Sequence, residues 1–171
     1  MRWGWLCNFQ EAQIYSVHQE IERKFLLTHS GWRGLARGTR IRQGYLCLDP
    51  ERTVRVRLAG SEAWLTIKGK SSGPSRLECN YAIPLAEAER LLDEVALRPL
   101  VEKVRYAIAY EGLIWEVDEF FGDNLGLVLA EVELESEDQA FERPDWIGEE
   151  VTDDPRYYNA SLVLHPFCTW G

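Results

Sequence analysis

Charged residues in this chain recur two apart, inside segments whose intervening positions are apolar. Glu20, Glu22 and Lys24 form the first set, and Arg55 and Arg57 the next, backed by Val54, Val56 and Leu58. Lys68 follows Thr66, with Leu65 and Ile67 at the alternate positions; Arg76 and Glu78 alternate with Leu77, Cys79 and Tyr81. Lys103 and Arg105 stand opposite Val104, Tyr106 and Ile108, Glu116 and Asp118 opposite Trp115 and Val117, and Glu131 and Glu133 opposite Ala130, Val132 and Leu134. In a strand, side chains two apart share a face. Clustered Arg and Lys suit a polyanion, since Arg grips phosphate oxygens bidentately. Clustered carboxylates suit a hard divalent cation, Mg²⁺ or Mn²⁺. Both clusters in one site fit a metal-chelated polyphosphate, and the chemistry that goes with it is phosphoryl transfer. The plainer alternative is a solvated sheet face laced by cross-strand ion pairs, each worth about 0.2–1 kcal/mol.

Positioning these pairs requires strands. Period-2 alternation predicts them near 20–27, 40–47, 53–59, 63–69, 76–83, 101–109, 113–120 and 127–135. Short turn-rich stretches such as Tyr110-Glu111-Gly112 and Gly122-Asp123-Asn124 favour antiparallel hairpins. A helix is predicted over 84–97, with Leu85, Ala88, Leu91, Leu92 and Val95 as one apolar stripe. Ser136-Glu137-Asp138-Gln139 has the form of a capping box and predicts a second helical start, and the tail from about 155 predicts a last short helix. The expected fold is mainly β (α+β): a closed eight-stranded antiparallel β-barrel, a tunnel, with flanking helices. Closure removes exposed edges and turns the charged face inward, where each charge needs a partner or a ligand.

Composition narrows the class. The chain has 171 residues, a length for one domain, and its charges interrupt every apolar run before membrane-spanning length. Cys7, Cys47, Cys79 and Cys168 are scattered with no CxxC spacing, which fits reduced thiols in a cytoplasm better than a zinc ribbon or a disulfide scaffold. Residues 1–110 carry a net charge of +5 and residues 111–171 a net of −14, so no uniform basic surface for nucleic acid is expected. His18, His29 and His165 read as surface residues, Cys79 as a packed thiol, and Tyr157 and Tyr158 as packing residues. Residues 1–16 lack a clear period and read as an N-terminal extension, with the natural start expected at Val17 and one domain over 17–171.

Glu20-Ile21-Glu22-Arg23-Lys24-Phe25 resembles the ExExK signature of the CYTH superfamily, the triphosphate tunnel metalloenzymes. Further elements of that family follow in order: Arg42-Gln43-Gly44-Tyr45-Leu46, Thr53-Val54-Arg55-Val56-Arg57, Leu65-Thr66-Ile67-Lys68-Gly69, Glu102-Lys103-Val104-Arg105-Tyr106, Trp115-Glu116-Val117-Asp118, Glu131-Val132-Glu133 and Tyr157-Tyr158-Asn159. The resemblance covers about Val17 to Leu164. It implies an eight-stranded tunnel that binds a triphosphate with Mg²⁺ or Mn²⁺. It implies Glu20, Glu22 and Glu133 as metal ligands, with Asp118 and Glu131 orienting a second metal or the attacking water. Lys24, Arg55, Arg57, Lys68, Lys103 and Arg105 match phosphate-holding positions, Arg76 falls on the next tunnel strand, and Lys24 and Tyr45 are the candidates for managing protons.

The small bacterial members imply hydrolysis of inorganic tripolyphosphate to pyrophosphate and phosphate. An adenylate cyclase of the class IV type, a thiamine or nucleoside triphosphatase, and a non-catalytic polyphosphate-binding module are the alternatives. The expected partner is inorganic triphosphate or another triphosphate-containing small molecule, with no nucleic acid and no membrane, and the chain is expected to be a cytoplasmic monomer or homodimer. Asn80 and Ala82 stand where similar proteins often carry acids, which leaves the basic set less neutralised and favours a more highly charged ligand.

Overall fold

A computed structural model describes residues 21–49, 51–72 and 75–171, without the side chains of residues 71, 72, 75 and 76. Residues 1–16, Glu20 and the side chain of Arg76 therefore lie outside the description, as does His18. The strands are β1 (Ile21–Leu27), β2 (Gly38–Asp49), β3 (Arg52–Ala59), β4 (Glu62–Ser72), β5 (Ser75–Ala82), β6 (Val101–Tyr110), β7 (Leu113–Phe121), β8 (Val128–Leu134) and β9 (Ile147–Glu150). The first eight are the predicted ones, lengthened or trimmed by a few residues. All ladders are antiparallel. The β6–β7 hairpin turns through Glu111 and Gly112, whose φ angles of 45° and 80° match the twist of the flanking strands.

The sheet is not a closed eight-stranded barrel. Among the described residues it has nine strands in the order β5-β4-β3-β2-β6-β7-β8-β1-β9 and stays open between β5 and β9. The reason is local to β1. Closure would pair β5 with the free edge of β1, and β9 and its flanks hold that edge instead. Phe25 pairs with Glu150 and Leu27 with Ile147. Thr28 N donates to Trp146 O at 3.0 Å, and Val151 N to Lys24 O at 2.8 Å. The helical start expected at Ser136–Gln139, upstream of β9, does not become a helix. Ser136–Gln139 closes a single turn, with Gln139 N on Ser136 O at 3.1 Å and Glu135 N on Gln139 Oε1 at 2.6 Å. Pro144 follows too soon for a helix to continue.

The predicted helix forms as α1 (Leu85–Arg90) and widens into a π turn over Leu91–Val95, closed by Ala96 N on Leu91 O at 2.9 Å. Only part of its stripe is used. Ala88 and Leu92 are fully buried, whereas Leu85 and Val95 remain exposed. Ala88 and Leu92 cover Val56 and Ala63 on the outer face of β3 and β4. Gly44 permits this approach: a Cβ there would lie 2.6 Å from Ala96 Cβ and 2.9 Å from Leu92 Cδ2. The outer face of β1, β7 and β8 packs Phe25, Trp115, Val117, Ala130 and Val132 against Trp32 and Trp146.

The inner face changes character along each strand. Leu26, Tyr45, Val101, Phe120 and Leu129 share faces with the charged residues but form an apolar cluster with Leu162 and Val163 of α2 (Ser161–Leu164). The C-terminal segment thus fills one end of the curved sheet and leaves the charged end open. Among the described residues, no helix is long and apolar enough to cross a membrane.

Candidate active site

The open end is a cavity of about 690 Å³. Glu22 and Lys24 of β1 and Lys68 of β4, far apart in strand order, line it together, which measures how strongly the sheet curves. Two walls of opposite character face each other across it. Arg55, Arg57 and Lys68 come from β3 and β4, with Tyr45 of β2 beside them; Glu22, Glu116, Glu131 and Glu133 come from β1, β7 and β8. Register explains the carboxylate wall: Glu22 pairs with Glu133, Lys24 with Glu131, and Glu116 with Glu131.

Like charges directly opposite each other cost stability unless a cation lies between them. Arg105 does this for one pair, with Nη1 on Glu116 and Nη2 on Glu131 Oε2 at 2.7 Å. Glu22 is held by Lys24 Nζ, but its cross-strand neighbour Glu133 makes no ion pair among the described residues. That pair, with one cation for two carboxylates, fits a divalent cation. Among the described residues no three acidic or imidazole groups form a ready metal cage, and Glu20 lies outside them.

An ion network runs beneath the carboxylate wall. Lys24 Nζ bonds both Glu22 and Glu131. Asp118 takes Arg105 Nε on Oδ1 at 2.7 Å and Nη2 on Oδ2 at 2.6 Å, and also receives Lys103 Nζ. Lys103 and Asp118 are fully buried and do not line the cavity; the other described residues expected at the site do. Burial lowers the Lys103 pKa, against the pull of Asp118. Burial also works against Lys24, but Glu131 and Glu22 outweigh it and the ammonium is held charged.

Glu131 titrates low for the same reason. Burial alone would raise its carboxyl, yet Lys103, Lys24 and Arg105 bring it from 4.5 down to about 2. A carboxyl depressed on folding stabilises the protein above its unfolded value and loses that contribution as pH falls through the folded value. The shift corresponds to about 3 kcal/mol, lost between roughly pH 5 and pH 2. Thermal melts across that window should therefore fall steeply for the wild type and less steeply for Glu131→Gln. Equal slopes would show that Glu131 is not the group responsible.

The basic wall is less neutralised. Glu78 carries Lys68 and lies 4.0 Å from Arg55. Asn80 spends its amide on Glu78 at 3.0 Å and accepts from Thr66 Oγ1 at 2.6 Å, adding no charge. Arg57 makes no ion pair among the described residues. Burial first, then Arg55 and Arg105, push its pKa down to about 10. Arg55 Nε is buried without a hydrogen-bond partner among the described residues, as is Asn159 Oδ1. Tyr45 has its pKa raised by burial, so its hydroxyl stays protonated.

Several lining residues had no role in the expected site. Thr152, Asp153, Tyr158, Asn159 and Ala160 form the floor contributed by the C-terminal segment, and Glu116, read as part of the charged face, completes the acidic wall. Tyr158 was expected as packing, yet it lines the cavity, with Oη on Thr152 O at 3.2 Å. Tyr157 does pack, edge-on to Trp170. The alternation of Glu116 with Asp118 was a sufficient signal for Glu116; the floor residues carry none that alternation can reveal.

Comparison with known proteins agrees with this geometry. A relative from Acetivibrio thermocellus, named inorganic triphosphatase, is 49% identical over 149 residues, covering 87% of this chain and 96% of its own length. One from Nitrosomonas europaea, also named inorganic triphosphatase, is 41% identical over 149 residues, covering 85% and 97%. The crystal structure of an inorganic triphosphatase superposes with a TM-score of 0.66 at 39% identity, over 85% of this chain and 94% of that one. The family model described as the CYTH domain matches residues 18–161, and the chain belongs to that family.

Proposed function

We propose that this chain is an inorganic triphosphatase, cleaving tripolyphosphate to pyrophosphate and phosphate. The carrying observation is the cavity with a carboxylate wall facing an under-neutralised basic wall. The two relatives that bear this activity in their names match nearly the whole chain. Arg55, Arg57 and Lys68 bind the phosphate chain along β3 and β4. Arg105 and Lys24, both fixed by carboxylates, present positive charge from the opposite wall. Lys24 stays charged and Tyr45 stays protonated, so both serve as hydrogen-bond donors to phosphoryl or leaving-group oxygens, not as bases. Glu22 and Glu133 would hold the divalent cation, with Glu20 as the third ligand in our reading. When bound, Mg²⁺ or Mn²⁺ supplies charge to the phosphate oxygens and acidity to water.

The same reading puts the chain in the cytoplasm as a monomer or homodimer, without nucleic acid or membrane partners. The unpaired thiols of Cys47, Cys79 and Cys168 support that compartment. An organic triphosphate would need a platform for its base or ring. Among the described residues the aromatic lining consists of Tyr45, which is buried, and Tyr158.

The test is phosphate release from tripolyphosphate, with ATP and thiamine triphosphate alongside, in Mg²⁺, Mn²⁺ and EDTA. Metal-dependent release fastest with tripolyphosphate is expected; equal or faster release from either organic substrate would overturn the assignment. Glu22→Gln should raise the metal concentration for half-maximal rate by about 10-fold or more, because one carboxylate of a sparse ligand set is lost. Its melting temperature should stay near wild type, since Glu22 is exposed. An unchanged metal titration would remove Glu22 from the ligand set.

A further inference from the structure

Gln43 of β2 lies behind the basic wall and is fully buried. It pairs across the ladder with Arg57. Its carboxamide is spent on two residues of the cavity: Oε1 accepts from Arg57 Nε at 3.1 Å, and Nε2 donates to Tyr45 Oη at 3.2 Å. The arrangement fixes the amide orientation, because an arginine Nε can only donate. It also fixes what remains available. Gln43 takes the Nε edge of Arg57 and leaves the Nη nitrogens for the cavity. Tyr45 Oη already accepts from Gln43 and sits beside Arg55, so its own proton is left to donate elsewhere.

The chemical type at this position matters as much as its place. A glutamate has nearly the same shape and could reach the same Arg57 Nε. It would form a buried ion pair and cancel a guanidinium that has no carboxylate partner among the described residues. It would also lose the donor to Tyr45, since an ionised carboxylate only accepts. A neutral amide aims the guanidinium without neutralising it.

We propose that Gln43 is a positioning residue for triphosphate binding: an uncharged clamp that aims Arg57 and the Tyr45 hydroxyl at one phosphoryl group and keeps the charge of Arg57 for the substrate. This rests on the triphosphatase reading. Substitution by Glu removes the charge on offer; substitution by Met removes the aim and leaves the charge.

The experiment compares wild type, Gln43→Glu and Gln43→Met by steady-state kinetics on tripolyphosphate. The same three proteins are melted with and without tripolyphosphate in EDTA, which reads binding without turnover. Gln43→Glu should keep or raise its own melting temperature, raise KM about 10-fold or more, and lose the ligand-induced shift. Gln43→Met should melt lower, keep part of the ligand shift, and lose kcat more than KM. A wild-type KM and ligand shift in Gln43→Glu would overturn the inference. Equal losses in both variants, tracking a fall in their own melting temperatures, would overturn it too, because simple packing explains them. If wild type binds tripolyphosphate without cleaving it, the triphosphatase reading falls while the melting shifts still decide the role of Gln43.

Discussion

Asp118→Asn should melt about 6–20 °C below wild type. The residue is fully buried and is the hydrogen-bond acceptor for the equally buried Lys103 ammonium. Neutralising it strands that ammonium away from water, and breaking a buried pair from one side costs about 3–5 kcal/mol. At about 2–4 °C per kcal/mol for a domain of this size, the loss is plain in a thermal melt. The double variant Lys103→Met with Asp118→Leu should recover most of the stability, because replacing the whole pair by apolar groups of similar volume removes the desolvation cost along with the attraction. It should not recover activity. Arg105 would lose both oxygens that hold its Nε and Nη2, leaving Glu116 and Glu131 as its anchors. Measuring melting temperature and tripolyphosphate hydrolysis on the same samples separates the two roles. A single variant that melts within 2 °C of wild type (about 1 kcal/mol or less) would mean that water reaches Lys103.

Asp118 also marks where the sequence stops being informative. Lys103 and Arg105 are two apart on one strand, as are Glu116 and Asp118, and alternation puts each pair on the right face. Depth along the strand then separates them: Arg105 and Glu116 line the cavity, while Lys103 and Asp118 sit under it beside Phe120. Nothing in a period of two encodes depth, because depth depends on where α2 inserts. The same limit hid Gln43, an isolated amide whose importance lies in two neighbours from the folded sheet. The open edge was hidden for another reason. Eight alternating strands make a closed barrel a reasonable expectation, and β9 contributes only four residues with no alternation worth the name. Yet those residues and their flanks take the hydrogen bonds of β1 that closure would have required. Glu22, Arg55, Arg57, Lys68 and Glu133 were legible because their chemistry and their face are both local properties.

Arg57→Ala should cost activity and not stability, and the pairing of those two outcomes is what tests the basic wall. A guanidinium at this depth is unfavourable in the free protein: it is desolvated, it faces Arg55 and Arg105, and its pKa is down to about 10. Removing it relieves that repulsion, so the melting temperature without ligand should hold or rise by a few degrees. Its benefit appears only with an anion present. Two charge-assisted hydrogen bonds to phosphate oxygens, at about 1.5–3 kcal/mol each, predict a fall in kcat/KM of about 100-fold to 1000-fold or more. Arg57→Lys should fall between, because an ammonium keeps the charge and loses the planar fork. Arg90→Ala is the control. Arg90 is exposed on α1, pairs with Glu94, and should leave both readouts unchanged. An active Arg57→Ala, or one that melts well below wild type with activity lost in proportion, would show that Arg57 supports the fold and not the ligand. A residue that destabilises the empty protein and is needed only when the cavity is filled is the thermodynamic mark of a binding group.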